Sequence, residues 1–331
     1  MYSPMRWALA VLAGLAAGPA GAAELTKFNV GLSAQVITVF PVWMGEAGGF
    51  YEKQGLKVDI VSMEGGSRGI QVLLSGDIQV MHVGLAPVIP ANKHGGDLRL
   101  IASSTNTIPF TIFSPPGIKS GADLKGGIVG VSSFASESDV AMTLALKQLG
   151  LTRDDVTVIK LGGTSQRFAA LMSGQVKAVP LIEPTITTAR EQGFYPLVDL
   201  AAAKVPWIFD AIVVTRGYLA NNRGVLTRFL KAYVEGAYLA LADEQRGKAE
   251  IARWFKAGDP KVIDATYTDF KRLMPLDAEP SHVGAQNVLA QLQAVGTEIG
   301  STKVDDYLDT GIIEALKKEG FFSALKEKYH L

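Results

Sequence analysis

Val30-Gly31-Leu32-Ser33 recurs as Val129-Gly130-Val131-Ser132, about one hundred residues later in the chain. Leu74-Ser75-Gly76-Asp77-Ile78 likewise recurs as Met172-Ser173-Gly174-Gln175-Val176. The order of these stretches and the gaps between them nearly match, which predicts two halves that are each a strand–helix–strand–helix–strand unit. Two similar α/β lobes in one chain favour a cleft between them, and a cleft favours a bound ligand.

Glycine-rich turns follow the second predicted strand of each half. Gly65-Gly66-Ser67-Arg68 comes after a strand at 58–61, and Gly162-Gly163-Thr164-Ser165-Gln166-Arg167 comes after a strand at 156–161. Each turn opens a predicted helix, and helices that alternate with strands predict parallel sheets. The fold class is therefore α/β, with two similar lobes that each contain a mainly parallel sheet flanked by helices.

The segments that flank the second half predict how the lobes are joined. Residues 110–113 leave the first half, and residues 211–214 occupy the matching place at the end of the second. We interpret these segments as adjacent strands that cross between the lobes and form a two-segment hinge. Lobe one would then comprise 23–109 and 213–331, including the C-terminal helices, and lobe two would be an insertion at 110–212.

The first 22 residues have the pattern of a signal peptide. One positive charge within 1–6 precedes a short apolar run at 7–17, and Ala20-Gly21-Ala22 has the small–x–small form of a cleavage site. The run is shorter than the roughly 20 apolar residues that a membrane-spanning helix needs. We therefore expect export to the periplasm, with cleavage near Ala22.

Composition excludes several classes of function. The sequence has no cysteine, which excludes disulfides, thiolate metal sites and cysteine nucleophiles. Its 32 basic and 32 acidic side chains balance, so the chain lacks the basic surface of a nucleic-acid-binding protein. The four histidines are scattered without the spacing of metal ligands. We expect no metal and no cofactor.

In open parallel sheets, ligands bind outside the carboxyl ends of the strands. This rule selects the loops at 33–40, 65–68, 84–86, 132–136 and 162–167, and the end of the third strand of lobe two. Glycines let the backbone approach a ligand, and helix N-termini favour negative charge. With nearby aromatic residues, the candidate ligand-binding residues are Ser33, Gln35, Phe40, Gly66, Ser67, Arg68, Gly84, Ser133, Phe134, Ser136, Thr164, Ser165, Arg167, Glu183 and Trp207.

Each candidate also has a purely structural interpretation. The glycine pairs can be tight strand-to-helix turns, and a serine at a helix start is a good N-cap without any ligand. A single arginine usually points into water. The aromatic candidates Phe40, Phe134 and Trp207 can belong to the core, although the last two lie in predicted loops near the cleft.

The charges leave the type of ligand open. Arg68 and Arg167 would each lie in the first turn of a helix, and two opposed helix starts with an arginine suit a small anion. Three carboxylates favour a different type of ligand: those of Glu137, Asp139 and Glu183. Carboxylates beside two arginines also suit a zwitterion or a polar heterocycle such as a pyrimidine. Both ligand types remain alternatives.

A secreted serine hydrolase is the alternative from another class. Gly65-Gly66-Ser67-Arg68-Gly69 matches the G-x-S-x-G nucleophile motif and lies between a strand and a helix. The second half lacks this pattern, and the glycine-rich segment His94-Gly95-Gly96 follows the serine, whereas an oxyanion-hole segment should precede it. We therefore expect binding without catalysis.

The chain resembles the solute-binding proteins of ABC importers, in particular the nitrate/sulfonate/taurine class. The resemblance lies in the helix start Phe40-Pro41-Val42-Trp43, in the segment 49–58, in Gly65-Gly66-Ser67, in Leu74-Ser75-Gly76-Asp77-Ile78 and in Glu183-Pro184. It implies a type-II periplasmic binding fold whose lobes close about a hinge on a small-molecule solute. It also implies a membrane permease with a cytoplasmic ATPase as partner, and we expect the binding protein to be a monomer. A sensory module of the same fold remains an alternative.

Overall fold

The computed structural model describes residues 24–331. The predicted signal peptide at 1–22 and its cleavage site lie outside these residues. The strands are β1 (Thr26–Leu32), β2 (Leu56–Ser62), β3 (Val80–Val83), β4 (Leu98–Thr107), β5 (Thr111–Ser114), β6 (Ile128–Val131), β7 (Thr157–Lys160), β8 (Val179–Leu181), β9 (Tyr195–Asp199) and β10 (Pro206–Thr215).

Helices connect these strands and form the C-terminal part of the chain. They are α1 (Phe40–Ala47), α2 (Phe50–Lys53), α3 (Gly66–Ser75), α4 (Val88–Lys93), α5 (Gly121–Leu124), α6 (Glu137–Gln148), α7 (Thr164–Met172), α8 (Thr185–Glu191), α9 (Arg216–Ala242), α10 (Glu244–Phe255), α11 (Pro260–Leu273), α12 (His282–Ala294), α13 (Gly311–Lys318) and α14 (Phe321–Tyr329). Short 3₁₀ turns occupy Ile37–Val39, Arg153–Asp155 and Val304–Asp306.

Two sheets share one strand order. The first sheet has the order β2-β1-β3-β10-β4, in which only β10 runs antiparallel to its neighbours. In the second sheet, β7 pairs with β6, and β5 pairs with β8 and β9. A parallel bridge between Val129 and Ala178 joins these two groups in the order β7-β6-β8-β5-β9. The two mainly parallel sheets predicted from the internal repeat are confirmed. From here on, lobe one means the first sheet with its helices, and lobe two the second sheet with its helices.

The expected pairing of the two crossing segments is wrong. Strand β5 pairs with β8 and β9, whereas β10 pairs with β3 and β4. Each of these two strands lies inside its own sheet, where its backbone N–H and C=O groups find partners on both sides. Each is also the single antiparallel strand of that sheet. The connections between the sheets are therefore the short segments 108–110 and 200–205. Residues 206–212, which the sequence analysis assigned to lobe two, belong to β10 and the first sheet.

The C-terminal helices pack against lobe one. Phe229 of α9 stacks on Phe28 of β1 with ring centroids 4.8 Å apart. Trp43 of α1 stacks on Trp254 of α10, also at 4.8 Å. Gly236 of α9 lies so close to α1 that an added Cβ would be 2.4 Å from the backbone N of Gly45. This packing fixes α10 and α11 beside the first sheet, where they reach the edge of the cleft.

Within residues 24–331, no helix combines the length and the apolar character that crossing a membrane requires.

Candidate functional site

A small cavity lies between the two sheets, at the carboxyl ends of their strands. It encloses about 50 Å³. Lobe one supplies residues that follow β1, β2 and β3, and lobe two supplies residues that follow β6, β7 and β8. The lining residues are Ser33, Ala34, Val36, Gly66, Val83, Gly84, Phe110, Ser132, Ser136, Glu137, Ser138, Gly163, Thr164, Arg167, Ile182, Phe209 and Asp210.

Arg167 is the cation of this cavity. It lies in the first turns of α7 and is only 2% exposed. Its guanidinium donates to the backbone oxygens of Pro180 and Gly162 and to the hydroxyl of Thr164, each at 3.0 Å, and it lies 5.8 Å from the ring centre of Phe110. All three acceptors are neutral, and no carboxylate among residues 24–331 forms a salt bridge with Arg167. Burial lowers the pKa of Arg167 to about 9, so the side chain is still a cation at pH 7.

Glu137 at the start of α6 reaches across the cleft. One carboxylate oxygen accepts a hydrogen bond from the backbone N–H of Ala86, and the other accepts one from Nε1 of Trp207, both at 2.8 Å. Burial raises the pKa of Glu137 to about 8, against the lowering effect of these two bonds, and Asp210 raises it further. Gly84 has to be a glycine here, because an added Cβ would be 2.2 Å from Oε1 of Glu137.

Asp210 of β10 is the second carboxylate of the cavity, and it takes part in a buried hydrogen-bond network. Its Oδ2 accepts a hydrogen bond from Thr38 at 2.5 Å, and its Oδ1 lies 2.8 Å from Nδ1 of His82. Nε2 of His82 lies 3.1 Å from the hydroxyl of Tyr233 on α9. This network joins β3, β10 and α9 beneath the cavity, so it fixes the position of Asp210.

Further contacts hold the two lobes together at the cleft. The hydroxyl of Ser67 donates to the backbone oxygen of Phe134 at 3.0 Å, and Ser133 donates to Ser67 at 3.4 Å. The side-chain amide of Gln166 donates to Glu64 at 3.0 Å. Together with Glu137, these contacts describe a closed arrangement of the cleft.

The structure brings six of the fifteen candidate residues to the cavity wall. Four others lie at its edges: Gln35 and Ser165 line the neighbouring grooves, and Ser67 and Ser133 contact each other across the cleft. The six wall residues are Ser33, Gly66, Gly84, Ser136, Thr164 and Arg167. Ser136 also caps α6, because its hydroxyl accepts the N–H of Asp139 at 3.3 Å.

The remaining five candidates lie elsewhere. Phe40 is fully buried in the core against Phe270. Arg68 is exposed on α3, and Phe134 is 46% exposed beside Lys160. Trp207 is buried, and its indole N–H donates a hydrogen bond to Glu137. Glu183 faces a separate cavity with Arg190 and Asp269, where Thr187 donates to its carboxylate.

Three further residues of the cavity wall, Glu137, Asp210 and Phe110, are not among the fifteen candidates. From the sequence, the carboxylate of Glu137 was counted among the charges of the cleft but not among the ligand-binding residues. Asp210 lies next to a segment interpreted as a strand, and Phe110 was assigned to a crossing strand. Asp210 could have been identified from its position, because it is a carboxylate directly before the apolar run 211–214. Glu137 gave no such signal, because its partners come from the other lobe.

The contacts of Ser67 do not support the hydrolase alternative. Its hydroxyl bonds to Phe134 and Ser133, whereas His82 is buried and bonds to Asp210 and Tyr233. Among residues 24–331, no group of three or more histidine, aspartate or glutamate side chains is arranged to hold a metal ion.

Comparison with known families identifies the chain. Residues 37–246 match the family described as NMT1/THI5 like, which is more than half of the 331 residues. The chain therefore belongs to this family. Proteins of Brucella abortus and Brucella suis that are named as binding proteins are 32% identical over 155 residues, or 46% of this chain and 47% of each relative. The chain thus spans about half the length of these curated relatives.

More distant relatives are also binding proteins. The riboflavin-binding protein RibY of Chloroflexus aurantiacus is 26% identical over 243 residues, which cover 69% of this chain and 66% of RibY. The solved alkanesulfonate-binding protein SsuA of Xanthomonas axonopodis superposes with a TM-score of 0.72 and 18% identity, over 87% of this chain and 99% of SsuA. The periplasmic nitrate-binding protein NrtA of Synechocystis superposes with a TM-score of 0.70 and 15% identity, over 91% of both chains. These structures share the periplasmic binding protein fold with this chain, and RibY, SsuA and NrtA are all named as binding proteins.

Proposed function

We propose that this member of the NMT1/THI5-like family is the solute-binding component of an ABC importer. It captures a small organic anion between its two lobes, closes about the segments 108–110 and 200–205, and delivers the solute to a membrane permease with a cytoplasmic ATPase. No bond is made or broken in the solute. The free energy of closure is limited to the difference in the solute's affinity for the closed and open states.

The observation that carries this proposal is the environment of Arg167. A buried cation is costly unless an anion compensates it. The guanidinium of Arg167 lies in the cavity wall, and all its hydrogen-bond acceptors are neutral. An anionic group of the solute would supply the missing charge and would use the fork geometry of the guanidinium for charge-assisted hydrogen bonds.

The two carboxylates of the cavity do not cancel this preference. Glu137, with a pKa of about 8, is mostly neutral at pH 7. Asp210 is bound by Thr38 and His82, so its charge is already stabilised within lobe one. Arg167 is the charged group of the cavity whose hydrogen bonds all go to neutral acceptors, which favours a solute with one negative charge.

A zwitterionic or pyrimidine-like solute is the second candidate. The observation in its favour is that Glu137 and Asp210 line the same small cavity as Arg167. A solute with an N–H donor or a cationic group opposite its anionic group would contact both signs of charge. The names of RibY, SsuA and NrtA span riboflavin, alkanesulfonates and nitrate, which supports a small solute and leaves its identity open.

The proposal extends to the organisation of the chain. We propose 1–22 as a signal peptide that is cleaved near Ala22, so that the mature protein acts in the periplasm as a monomer. Lobe one would comprise 23–109 and the part of the chain that follows lobe two, from 206 to 331. The pairing of β10 with β4 supports a boundary before 206 in place of 212.

A thermal-shift screen of the mature protein tests the proposed function. The panel contains alkanesulfonates, nitrate, small carboxylates, amino-acid zwitterions and pyrimidines. A solute at 100 times its Kd stabilises the native state by about 2.7 kcal/mol and raises the melting midpoint. We expect a shift with at least one monoanion. A shift with zwitterions or pyrimidines alone would favour the second candidate, and no shift with any compound would contradict both.

A further inference from the structure

A second, larger space adjoins the inner cavity. This outer groove encloses about 490 Å³, roughly ten times the 50 Å³ of the inner cavity. Val36 and Thr164 line both spaces. A molecule whose charged group lies against Arg167 would therefore meet the outer groove on its way out of the inner cavity.

The inner cavity has room only for a small group. One water needs about 10–15 Å³ of such space, so 50 Å³ corresponds to about three to five waters. This volume suits a compact anionic headgroup. Any further part of the solute has to lie outside it, and the outer groove is the adjoining space.

The outer groove is formed by both lobes. Helix α8 and the start of α7 contribute one wall, and α10 with α11 contributes the other. Lys261 of α11 lies 3.9 Å from Glu191 of α8. Because its walls come from different lobes, the groove takes its shape only when the cleft is closed.

The lobe-one wall of the groove combines apolar side chains with two charged ones, and the lobe-two wall is rich in hydroxyl groups. Phe255 and Val262 of lobe one face Ser165, Thr185 and Thr188 of lobe two. Its ionisable side chains are all exposed, and they comprise two carboxylates and one ammonium: Glu191, Asp259 and Lys256. Together with Lys261, which lies 3.9 Å from Glu191, these charges balance, so the rim has no excess positive charge for a second anionic group on the solute.

We propose that the outer groove binds the uncharged organic tail of the solute, while its single anionic headgroup binds at Arg167 in the inner cavity. The substrate class is thus an organic monoanion with a tail of several carbon atoms, not a bare inorganic anion. This inference rests on the proposed function and adds the tail to it. Helices α8, α10 and α11 become the elements that determine specificity for the tail.

Isothermal titration calorimetry with methane-, butane- and hexanesulfonate tests this inference, because these probes share one permanently ionised headgroup and differ only in the tail. Burying one methylene contributes about 0.8 kcal/mol, or about fourfold in Kd. We expect affinity to rise by about two- to fourfold per methylene.

Two groove variants test whether the gain in affinity with tail length comes from the outer groove. Thr188→Trp fills the groove from α8 and should remove most of the gain with tail length, whereas Gln192→Trp, at the exposed end of the same helix, should leave it unchanged. Phe255→Ala, on the opposite wall, should reduce the gain without narrowing the groove. It therefore keeps the test decisive if Thr188→Trp hinders closure or folding.

The outcomes separate the two proposals. If methanesulfonate binds through Arg167 but longer tails add nothing, or if both groove variants keep the full gain, the tail site is wrong and the proposed function stands. If none of the three sulfonates binds to the wild-type protein, the tail site is wrong; the proposed function fails with it only when no other monoanion of the thermal-shift panel binds.

Discussion

The carboxylate of Glu137 accepts the indole N–H of Trp207 at 2.8 Å, across the cleft between the two lobes. Its other oxygen accepts the backbone N–H of Ala86, also from lobe one. Glu137 is the first residue of α6 in lobe two, yet both of these hydrogen-bond donors belong to lobe one. A single side chain of the cavity wall thus also links the two lobes.

Removal of this carboxylate should weaken solute binding. In Glu137→Ala, the N–H groups of Ala86 and Trp207 lose their acceptor in the closed state, and an unsatisfied buried polar group costs about 1–3 kcal/mol. We expect a Kd for butanesulfonate that is about 10- to 100-fold weaker, measured by calorimetry. Glu327→Ala, on the exposed face of α14, is the control. Equal affinities of the two variants would show that Glu137 does not stabilise the closed state.

Binding should also depend on pH through Glu137. Burial in the closed protein raises its pKa to about 8, and exposure on opening returns it towards its ordinary value of 4.5. Closure therefore takes up a proton between these values. This contribution is fully present below pH 4.5 and is lost as the pH rises through about 8, so stability of the closed state falls across this window.

Calorimetry from pH 6 to pH 8 measures this effect, because a sulfonate probe does not titrate there. We expect affinity to fall with rising pH, by at most about tenfold per unit for one proton. Glu137→Gln should bind more weakly, since its amide nitrogen faces an N–H donor, but its affinity should not change with pH. The same slope in Glu137→Gln would assign the pH dependence to another group.

The repeat in the sequence predicted the fold because local signals repeat with it. Ser136 caps α6 as its spacing from Asp139 predicts, and Gly76 ends α3 with a φ of +85°. The partner of each strand was harder to predict. Strands β5 and β10 look equivalent in sequence, but long-range backbone pairing places each of them in a different sheet.

The repeat was less informative about the site, because it does not specify which way a side chain points. Arg68 is the third residue of α3, and Arg167 is the fourth residue of α7. One residue further along a helix rotates the side chain by about 100°. Arg68 is therefore exposed, whereas Arg167 is buried in the cavity wall. The contacts of Glu137 and the burial of Phe40 likewise depend on neighbours that are distant in sequence.

The packing of α9 on α1 gives a test of the fold that does not involve the solute. In Gly236→Ala, the new Cβ would lie 2.4 Å from the backbone N of Gly45, so the helices would have to move apart. Overpacking of this kind costs about 1–3 kcal/mol. We expect a lower midpoint of denaturant unfolding.

Gly224→Ala is the matched control on the same helix. An added Cβ there has no neighbour within 4 Å, and alanine is favoured over glycine in a helix by about 1 kcal/mol. We expect this variant to be at least as stable as the wild type. If both glycine variants were equally stable, the close approach of α9 and α1 would be wrong.

The pair Arg167 and Arg68 tests the central claim most directly, through the Kd of butanesulfonate for Arg167→Leu and Arg68→Leu. Loss of a buried charge partner costs about 2–5 kcal/mol, so Arg167→Leu should bind more than about 30-fold more weakly than the wild type. Arg68→Leu should bind within about twofold of the wild type, because a side chain in water makes little net contribution. Binding by Arg167→Leu within about threefold of the wild type would contradict the assignment of Arg167 as the anion site.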